Sequence, residues 1–114
     1  MRSSKRRDAF AALADPTRRS ILELLRDQST LTAGEIARCY PRVSRAAVSK
    51  HLGVLRQARL VKAREKGREW HYTLEPGPLE AIYRDYLSGF APIWEESLRQ
   101  LKRLVEAGTR TTRK

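Results

Sequence analysis

Apolar residues recur at helical spacing between positions 44 and 56. Val48, Leu52 and Leu55 lie at i, i+4 and i+7 and share one face of a predicted helix. Ser44 is a good N-cap for it, since its hydroxyl can accept a backbone N–H bond at a helix start. The adjoining arc carries small and cationic side chains, namely Arg45, Ala46, Ser49, Lys50, Gly53 and Arg56. This division suits a helix in the DNA major groove, although an ordinary amphipathic helix with a solvated face explains the segment alone equally well.

Two helices are predicted near the start of the chain. Residues 8–13 begin a short first helix with Phe10 and Leu13 as its apolar positions. Asp15 and Pro16 then supply an N-cap and a proline at the first helical position of a second helix. This second helix is predicted over residues 16–26, with its buried positions at Ile21, Leu22, Leu24 and Leu25.

A third, short helix is predicted between the second helix and Ser44. Thr32 and Glu35 have the spacing of a capping box, in which each residue satisfies one orphan backbone donor of the helix start. Pro41 ends this helix. The short helix, the polar turn after it and the helix that begins after Ser44 form a helix-turn-helix signature.

After Leu60 the pattern changes to the alternation of a β-hairpin. Strands are predicted over residues 61–65 and 68–74, joined by a turn at 66–67. In the second strand Trp70, Tyr72 and Leu74 form the inward side, and the tip carries Arg64, Lys66 and Arg68. A cationic hairpin after a candidate recognition helix forms a wing that reaches the DNA backbone or minor groove. A hairpin with a merely solvated turn is the alternative.

The C-terminal region is rich in apolar residues at helical spacing. Pro76 and Pro78 open it, and Gly89 and Pro92 divide it into two helices or kink one. We expect a homodimer interface, because such proteins bind paired half-sites; helices folded back onto their own core are the alternative. The residues predicted to form the interface are Phe10, Leu13, Tyr83, Tyr86, Leu87, Phe90, Trp94, Leu98, Leu101 and Val105.

Size and charge agree with one small nucleic-acid-binding protein. The 114 residues carry 24 Lys and Arg against 13 Asp and Glu, a net charge of +11 that attracts polyanions. No acidic residue lies between Glu35 and Glu65, an interval that resembles a phosphate footprint. The predicted parts are a disordered basic arm (1–7), a DNA-binding domain (8–75), C-terminal dimerisation helices (76–107) and a disordered basic tail (108–114).

Several other classes of protein are disfavoured. No apolar run approaches the ~20 residues of a membrane span, and no secretory signal follows the basic N-terminus. The single cysteine, Cys39, excludes an internal disulfide and fits a reducing cytoplasm. An enzyme is not expected, because the adjacent Glu95 and Glu96 do not face each other and no phosphate loop or HExxH motif occurs. A winged helix that binds RNA or a protein is the remaining alternative.

In this order, the segments resemble an ArsR-type winged helix-turn-helix repressor. The resemblance is carried by residues 13–25, 32–37, 48–52 with Leu55, and the hairpin from Gly67 to Leu74. It implies a mainly α fold with a small β-hairpin and C-terminal dimerisation helices. It also implies a dimeric transcription factor that sits on a double-stranded promoter operator, blocks transcription and leaves DNA when an inducer binds. The inducer, a small molecule or another signal, is not defined by the sequence.

The resemblance assigns DNA contacts position by position. Arg45, Ser49 and Lys50 match base- or backbone-contacting positions of the recognition helix, where the family often has Gln, Ser and His. The whole predicted DNA-contacting set is Arg42, Ser44, Arg45, Ala46, Ser49, Lys50, Arg56, Arg64, Lys66 and Arg68. Arg59 replaces a glycine that is frequent after the recognition helix, so its turn needs a backbone compatible with a bulky residue.

The resemblance does not extend to metal sensing. Metal-sensing members carry paired cysteines in the helix that matches residues 35–39, or His and acidic ligands in the C-terminal helices. This chain has only Cys39 in the first place and no histidine after His71, whereas zinc sites need three or four N or S ligands. We therefore expect no metal and no cofactor. Cys39 is predicted to be a small packed residue, His51 to be structural, and His71 to lie on the outer side of the wing.

Overall fold

A computed structural model describes residues 2–112 of the chain, with side chains described for residues 8–108. The described part contains α1 (Arg2–Leu13), α2 (Pro16–Gln28), α3 (Ala33–Arg38), α4 (Arg45–Gln57), α5 (Pro76–Asp85), a short 3-10 helix (Leu87–Phe90) and α6 (Ala91–Thr112). Its strands are β1 (Thr30–Thr32), β2 (Val61–Lys66) and β3 (Glu69–Leu74). The predicted fold class, mainly helical with a small β element, is confirmed.

The predicted helix caps are present. Asp15 and Ser44 each accept a bond from the backbone N–H three residues further on, both at 3.0 Å. The capping box is complete, because Glu35 N–H donates to Thr32 Oγ1 at 3.1 Å and Thr32 N–H donates to Glu35 Oε1 at 2.8 Å. These side chains satisfy donors that a helix start leaves without intrahelical partners, and so fix where α2, α3 and α4 begin.

The helix ends differ from the predicted boundaries. α1 begins at Arg2 rather than at residue 8, α2 ends at Gln28, and α6 continues to Thr112. Residues 2–7 and 108–112 are therefore helical where the sequence predicts disorder; residues 1, 113 and 114 lie outside the described part. Extending a formed helix adds one hydrogen bond for each residue fixed, and residues 2–7 include Arg and Lys, which are good helix formers.

A third strand, β1, was not predicted. It pairs antiparallel with β3, and the sheet order is β1-β3-β2. Three residues are too few to show an alternating pattern, and the last of them, Thr32, is also the N-cap of α3. The wing hairpin is therefore attached to the helix-turn-helix through its inner strand, β3.

The hairpin turn lies one residue later than predicted. Lys66 pairs with Glu69, so the two-residue loop consists of Gly67 and Arg68 rather than residues 66–67. Gly67 has φ +68°, a left-handed conformation that costs glycine little because it lacks a Cβ. Glycine at the first loop position is favoured in the primed turns, whose twist matches that of the two strands.

The core lies between α2, α3, α4 and one face of the sheet. The largest fully buried side chains are Ile21, Leu25, Ile36, Val48, Leu55, Leu60 and Val61. Leu24, expected to be buried, is only partly so, as are Tyr72 and Leu74. Trp70 is 40% exposed, which corrects its predicted inward position. It lies beyond the end of the core, where β2 and β3 project as the wing.

The chain divides into two compact units, residues 1–80 and 81–114. The first contains the helix-turn-helix and the sheet. In the second unit, the 3-10 helix precedes α6, and Pro92 lies in the first turn of α6. The C-terminal region is therefore divided near Gly89 and Pro92, as predicted. α6 exposes a row of large apolar side chains, including Ile93, Leu98, Leu101, Leu104 and Val105.

Candidate nucleic-acid interface

Helix α4 is anchored on one side and open on the other. Val48, Leu52 and Leu55 are at most 2% exposed and pack into the core. The opposite side is exposed along its whole length and carries the side chains predicted for it, namely Arg45, Ala46, Ser49, Lys50, Gly53 and Arg56. The helix can therefore enter a groove without losing its packing.

Arg18 of α2 holds α4 in place on the side that faces the core. The guanidinium of Arg18 has Nη1 3.2 Å from His51 Nδ1, while Nε donates to Ala12 O at 2.8 Å and Nη2 donates to Ala11 O at 3.1 Å. His51 Nδ1 also lies 3.9 Å from Asp15 Oδ2. The structural role predicted for His51 agrees with these contacts, since it joins α4 to the junction of α1 and α2.

The carboxyl groups of this region serve as helix caps. The backbone N–H of Arg18 is the main cause that lowers the pKa of Asp15, and the backbone N–H of Thr32 does the same for Glu35. Hydrogen bonds to the charged form of a carboxyl stabilise that form and lower its pKa. Both carboxyl groups are therefore held in the charged form as parts of helix caps.

Alternation along β2 places its cations on one face of the wing. Lys62, Arg64 and Lys66 share that face with their cross-strand partners on β3, which are Thr73, His71 and Glu69. Among the residues with described side chains, none of these three cations forms an ion pair with a carboxylate. This face of the wing thus carries three cations against one carboxylate, Glu69.

Arg56 connects the recognition helix to the wing. Its guanidinium carbon lies 5.2 Å from the ring centroid of Trp70, a cation–π geometry. Both side chains are exposed, so the contact orients the arginine without removing it from solvent. Sequence reasoning missed this pairing because it placed Trp70 in the core.

Arg59 ends α4 in a left-handed conformation. Its φ is +61°; its N–H donates to Arg56 O at 3.0 Å, and the N–H of Leu60 donates to Leu55 O at 2.9 Å. This is the Schellman arrangement, whose left-handed position is usually glycine. The family glycine that Arg59 replaces thus coincides with the residue that adopts a positive φ.

An open concavity of about 660 Å³ lies between the end of α4 and the outer face of the sheet. Its charged lining includes Arg56, Arg59, Lys62, Arg64, Lys66 and His71. The concavity brings recognition-helix and wing cations to one surface. Sequence reasoning left Arg59 and Lys62 out of the site, although both lie in the acid-free interval that marked it.

All residues of the predicted DNA-contacting set are exposed, including Arg42 in the turn before α4 and Arg68 at the wing tip. The hydroxyl of Ser44 is already engaged as the N-cap of α4. In the predicted dimer set, Leu13 and Leu87 are partly buried, and the other members are exposed.

Cys39 is exposed, which corrects its predicted packing, because it lies at the C-terminal end of α3 rather than on its inner face. Within the described residues, no group of three His, Cys, Asp or Glu side chains could hold a metal ion. The described helices also include none that is long and apolar enough to cross a membrane.

Known proteins resemble this chain in sequence and in structure. A family described as Helix-turn-helix domain matches residues 13–64. The HTH-type transcriptional regulator Rv2034 of Mycobacterium tuberculosis is 44% identical over 99 residues, 87% of each chain. The transcriptional repressor SdpR of Bacillus subtilis is 38% identical over 73 residues, 64% of this chain and 79% of the relative.

Among solved structures, the ArsR-like transcriptional regulator from Rhodococcus sp. RHA1 superposes with a TM-score of 0.67 and 32% identity. The match covers 90% of this chain and 93% of that one. These similarities agree with the order of the helix-turn-helix and the wing and with the exposed outer face of α4. The chain belongs to the ArsR family of winged helix-turn-helix transcriptional regulators.

Proposed function

We propose that this protein binds a double-stranded promoter operator as a homodimer, represses transcription from it and is released by an effector. One observation carries the proposal: Arg56, at the end of the exposed face of α4, lines the same concavity as the cations of β2, so the helix and the wing can meet one duplex. The relative SdpR is a transcriptional repressor, which supports the direction of regulation. We place the protein in the cytoplasm, where a bacterial-type regulator meets DNA.

The two elements have different tasks in this proposal. Arg45, Ser49 and Lys50 project from the first half of α4 and contact base edges in the major groove. Arg64 and Arg68, on the wing, contact phosphates, which position the protein without reading the sequence. Base discrimination therefore resides in α4, and a large share of the affinity comes from the wing.

The dimer is attributed to α6 together with Phe90, the residue that precedes it. Phe90, Trp94, Leu98, Leu101 and Val105 are between 39% and 62% exposed and recur at spacings of three or four residues. A sustained apolar row of this kind is typical of an interaction surface, and a twofold dimer would present two recognition helices to paired half-sites.

DNA binding is tested with an operator selected from random duplexes and measured at several salt concentrations. A dimer that contacts ~6–10 phosphates loses about 10³–10⁵ in affinity between about 50 and 200 mM salt. Arg45→Ala should change the selected sequence, whereas Arg68→Ala should weaken all duplexes alike. A flat salt response, or better competition by single-stranded RNA than by duplex DNA, would contradict the proposal.

The dimer is tested by sedimentation of Leu98→Glu. A charge in the centre of the apolar row should yield monomers and weaken operator binding, because two half-sites can no longer be held together. Gln100→Glu is the control, since it adds the same charge on another side of α6. A Leu98→Glu protein that remains dimeric would exclude this interface.

A further inference from the structure

We infer that the concavity between the end of α4 and the outer face of the sheet is a phosphate-binding site for at least two adjacent phosphate groups. Its ligand is either a stretch of duplex backbone or a free polyphosphate, which share the same chemistry. The site is separate from the base-contacting half of α4, because Arg56 is the one residue of α4 that lines it.

The backbone brings its cations together from three places. Arg56 stands in the last turn of α4, Arg59 in the turn that follows, and Lys62, Arg64 and Lys66 alternate along β2. Residues two apart on a strand project from the same face and lie about 6.8 Å from one another. The five charges therefore spread along the concavity instead of meeting at a point, and they suit an elongated anion.

Neutral donors complete the lining. Thr73 pairs with Lys62 on one side and with Thr30 on the other, and His71 pairs with Arg64, so all these residues belong to the same face of the sheet. Hydroxyl and imidazole groups can donate hydrogen bonds to phosphate oxygens alongside Arg and Lys. The site offers shaped hydrogen bonding as well as positive charge.

The cations of the concavity outnumber the carboxylates near them, which are Glu75 and, opposite Lys66, Glu69. None of the five cations has an ion pair with any carboxylate whose side chain the structure describes, and one carboxylate, that of Glu75, belongs to the lining. Like charges held near each other repel, and a bound anion removes that repulsion. Arg59, which lines the concavity, also has a left-handed backbone, and such strain clusters at functional sites.

The size and polarity of the concavity favour a phosphate ligand. Its volume of about 660 Å³ lies within the roughly 300–1,000 Å³ of small-molecule sites. Nine of its eleven lining residues are polar or charged, and five of them are Arg or Lys, which suits an anion. Arg56, Arg64 and Lys66 also belong to the DNA-contacting set, so a free polyphosphate would compete with the duplex. Binding of duplex backbone at this site (the duplex source of phosphate) rests on the proposed function. Binding of a free polyphosphate (the free source) does not.

The free source is tested by titrating the full-length protein with inorganic tripolyphosphate in a calorimeter. Saturable binding of one molecule per chain is expected for the wild type, with at least a tenfold loss in the double variant Arg59→Gln, Lys62→Gln. The control is Arg26→Gln, Lys102→Gln, which removes the same charge outside the concavity. Circular dichroism of each variant checks that it is folded.

The duplex source is tested by the salt dependence of operator binding. If the concavity holds two backbone phosphates, the Arg59→Gln, Lys62→Gln variant reduces the slope of log K against log salt by about 1.8 per protomer, at ~0.9 per phosphate. Displacement of the operator by tripolyphosphate in wild type supports the free source. Equal behaviour of this variant and its control in both assays overturns the inference. Wild-type protein that binds tripolyphosphate but no duplex refutes the proposed function and leaves the site standing.

Discussion

The guanidinium of Arg18 lies 3.2 Å from Nδ1 of His51, so a side chain of α2 reaches the buried edge of α4. Two further bonds from the same guanidinium hold the last carbonyl groups of α1. Three helices thus share one cation. The orientation of α4 depends on a residue that lies outside its exposed face.

Replacing Arg18 by alanine should destabilise the protein by about 2 kcal/mol. The change removes three hydrogen bonds, each contributing roughly 0.5–1.5 kcal/mol, from a partly buried position. Urea denaturation measures the loss in the free energy of unfolding. Arg19→Ala is the control, because Arg19 is exposed and makes one such bond, to Leu13 O. Equal losses in the two variants would show that Arg18 does not join the helices.

Trp70 should contribute to DNA affinity through Arg56 alone. Trp70→Leu removes the ring that orients the guanidinium, and a cation–π contact at an exposed site contributes about 0.5–1 kcal/mol, up to ~5-fold in affinity. The same substitution in an Arg56→Ala background should then have no further effect. A double-mutant cycle of operator affinities measures the coupling, and full additivity would contradict it.

Arg59→Gly should raise stability by about 0.5–1 kcal/mol. A left-handed backbone costs a non-glycine residue roughly 1–2 kcal/mol, and the greater freedom of unfolded glycine cancels about 0.5–1 kcal/mol of the gain. Arg59→Ala serves as the control, because it removes the same charge and retains the strain. Thermal unfolding that shows the same gain for both variants would attribute the effect to charge instead.

Glu35 should contribute to acid sensitivity. Its pKa is lowered in the folded protein, chiefly by the Thr32 N–H, so folding favours the charged form. The contribution is complete above the ordinary pKa of 4.5 and is lost as pH falls through the lower, folded value. Glu35→Gln should therefore destabilise the protein at neutral pH and make little difference in strong acid. Glu106→Gln, which removes a charge from exposed α6, should not show this pH-dependent difference in urea denaturation.

Local sequence signals predicted much of the architecture. The helix starts could be inferred without tertiary structure, because their caps bond to neighbouring backbone. These caps are Asp15, the Thr32–Glu35 capping box and Ser44. The buried face of α4 followed from periodicity alone. The same signals did not reveal β1, since a strand of three residues is stabilised by its partner β3 rather than by its own pattern.

The errors at the candidate site have tertiary causes. The alternation of strand β3 correctly predicted the side of the strand on which Trp70 lies. It could not predict that the wing extends past the core, so that Trp70 contacts Arg56 there instead of being buried. Lys62 was omitted because nothing in the sequence shows that the outer face of the sheet and the end of α4 enclose a concavity. The contribution of Arg59 depends on its φ, a quantity that composition does not encode.

The row of Lys62, Arg64 and Lys66 occupies β2, which is an outer strand of the sheet. Unpaired backbone along such a strand can template association with a second sheet, and lysine is a common means of preventing it. The cations thus protect the protein's solubility in addition to any role with nucleic acid. Variants that neutralise all three cations would consequently leave the backbone of an edge strand open to pairing with another sheet. Aggregation of such variants would then arise from strand pairing at this edge rather than from misfolding.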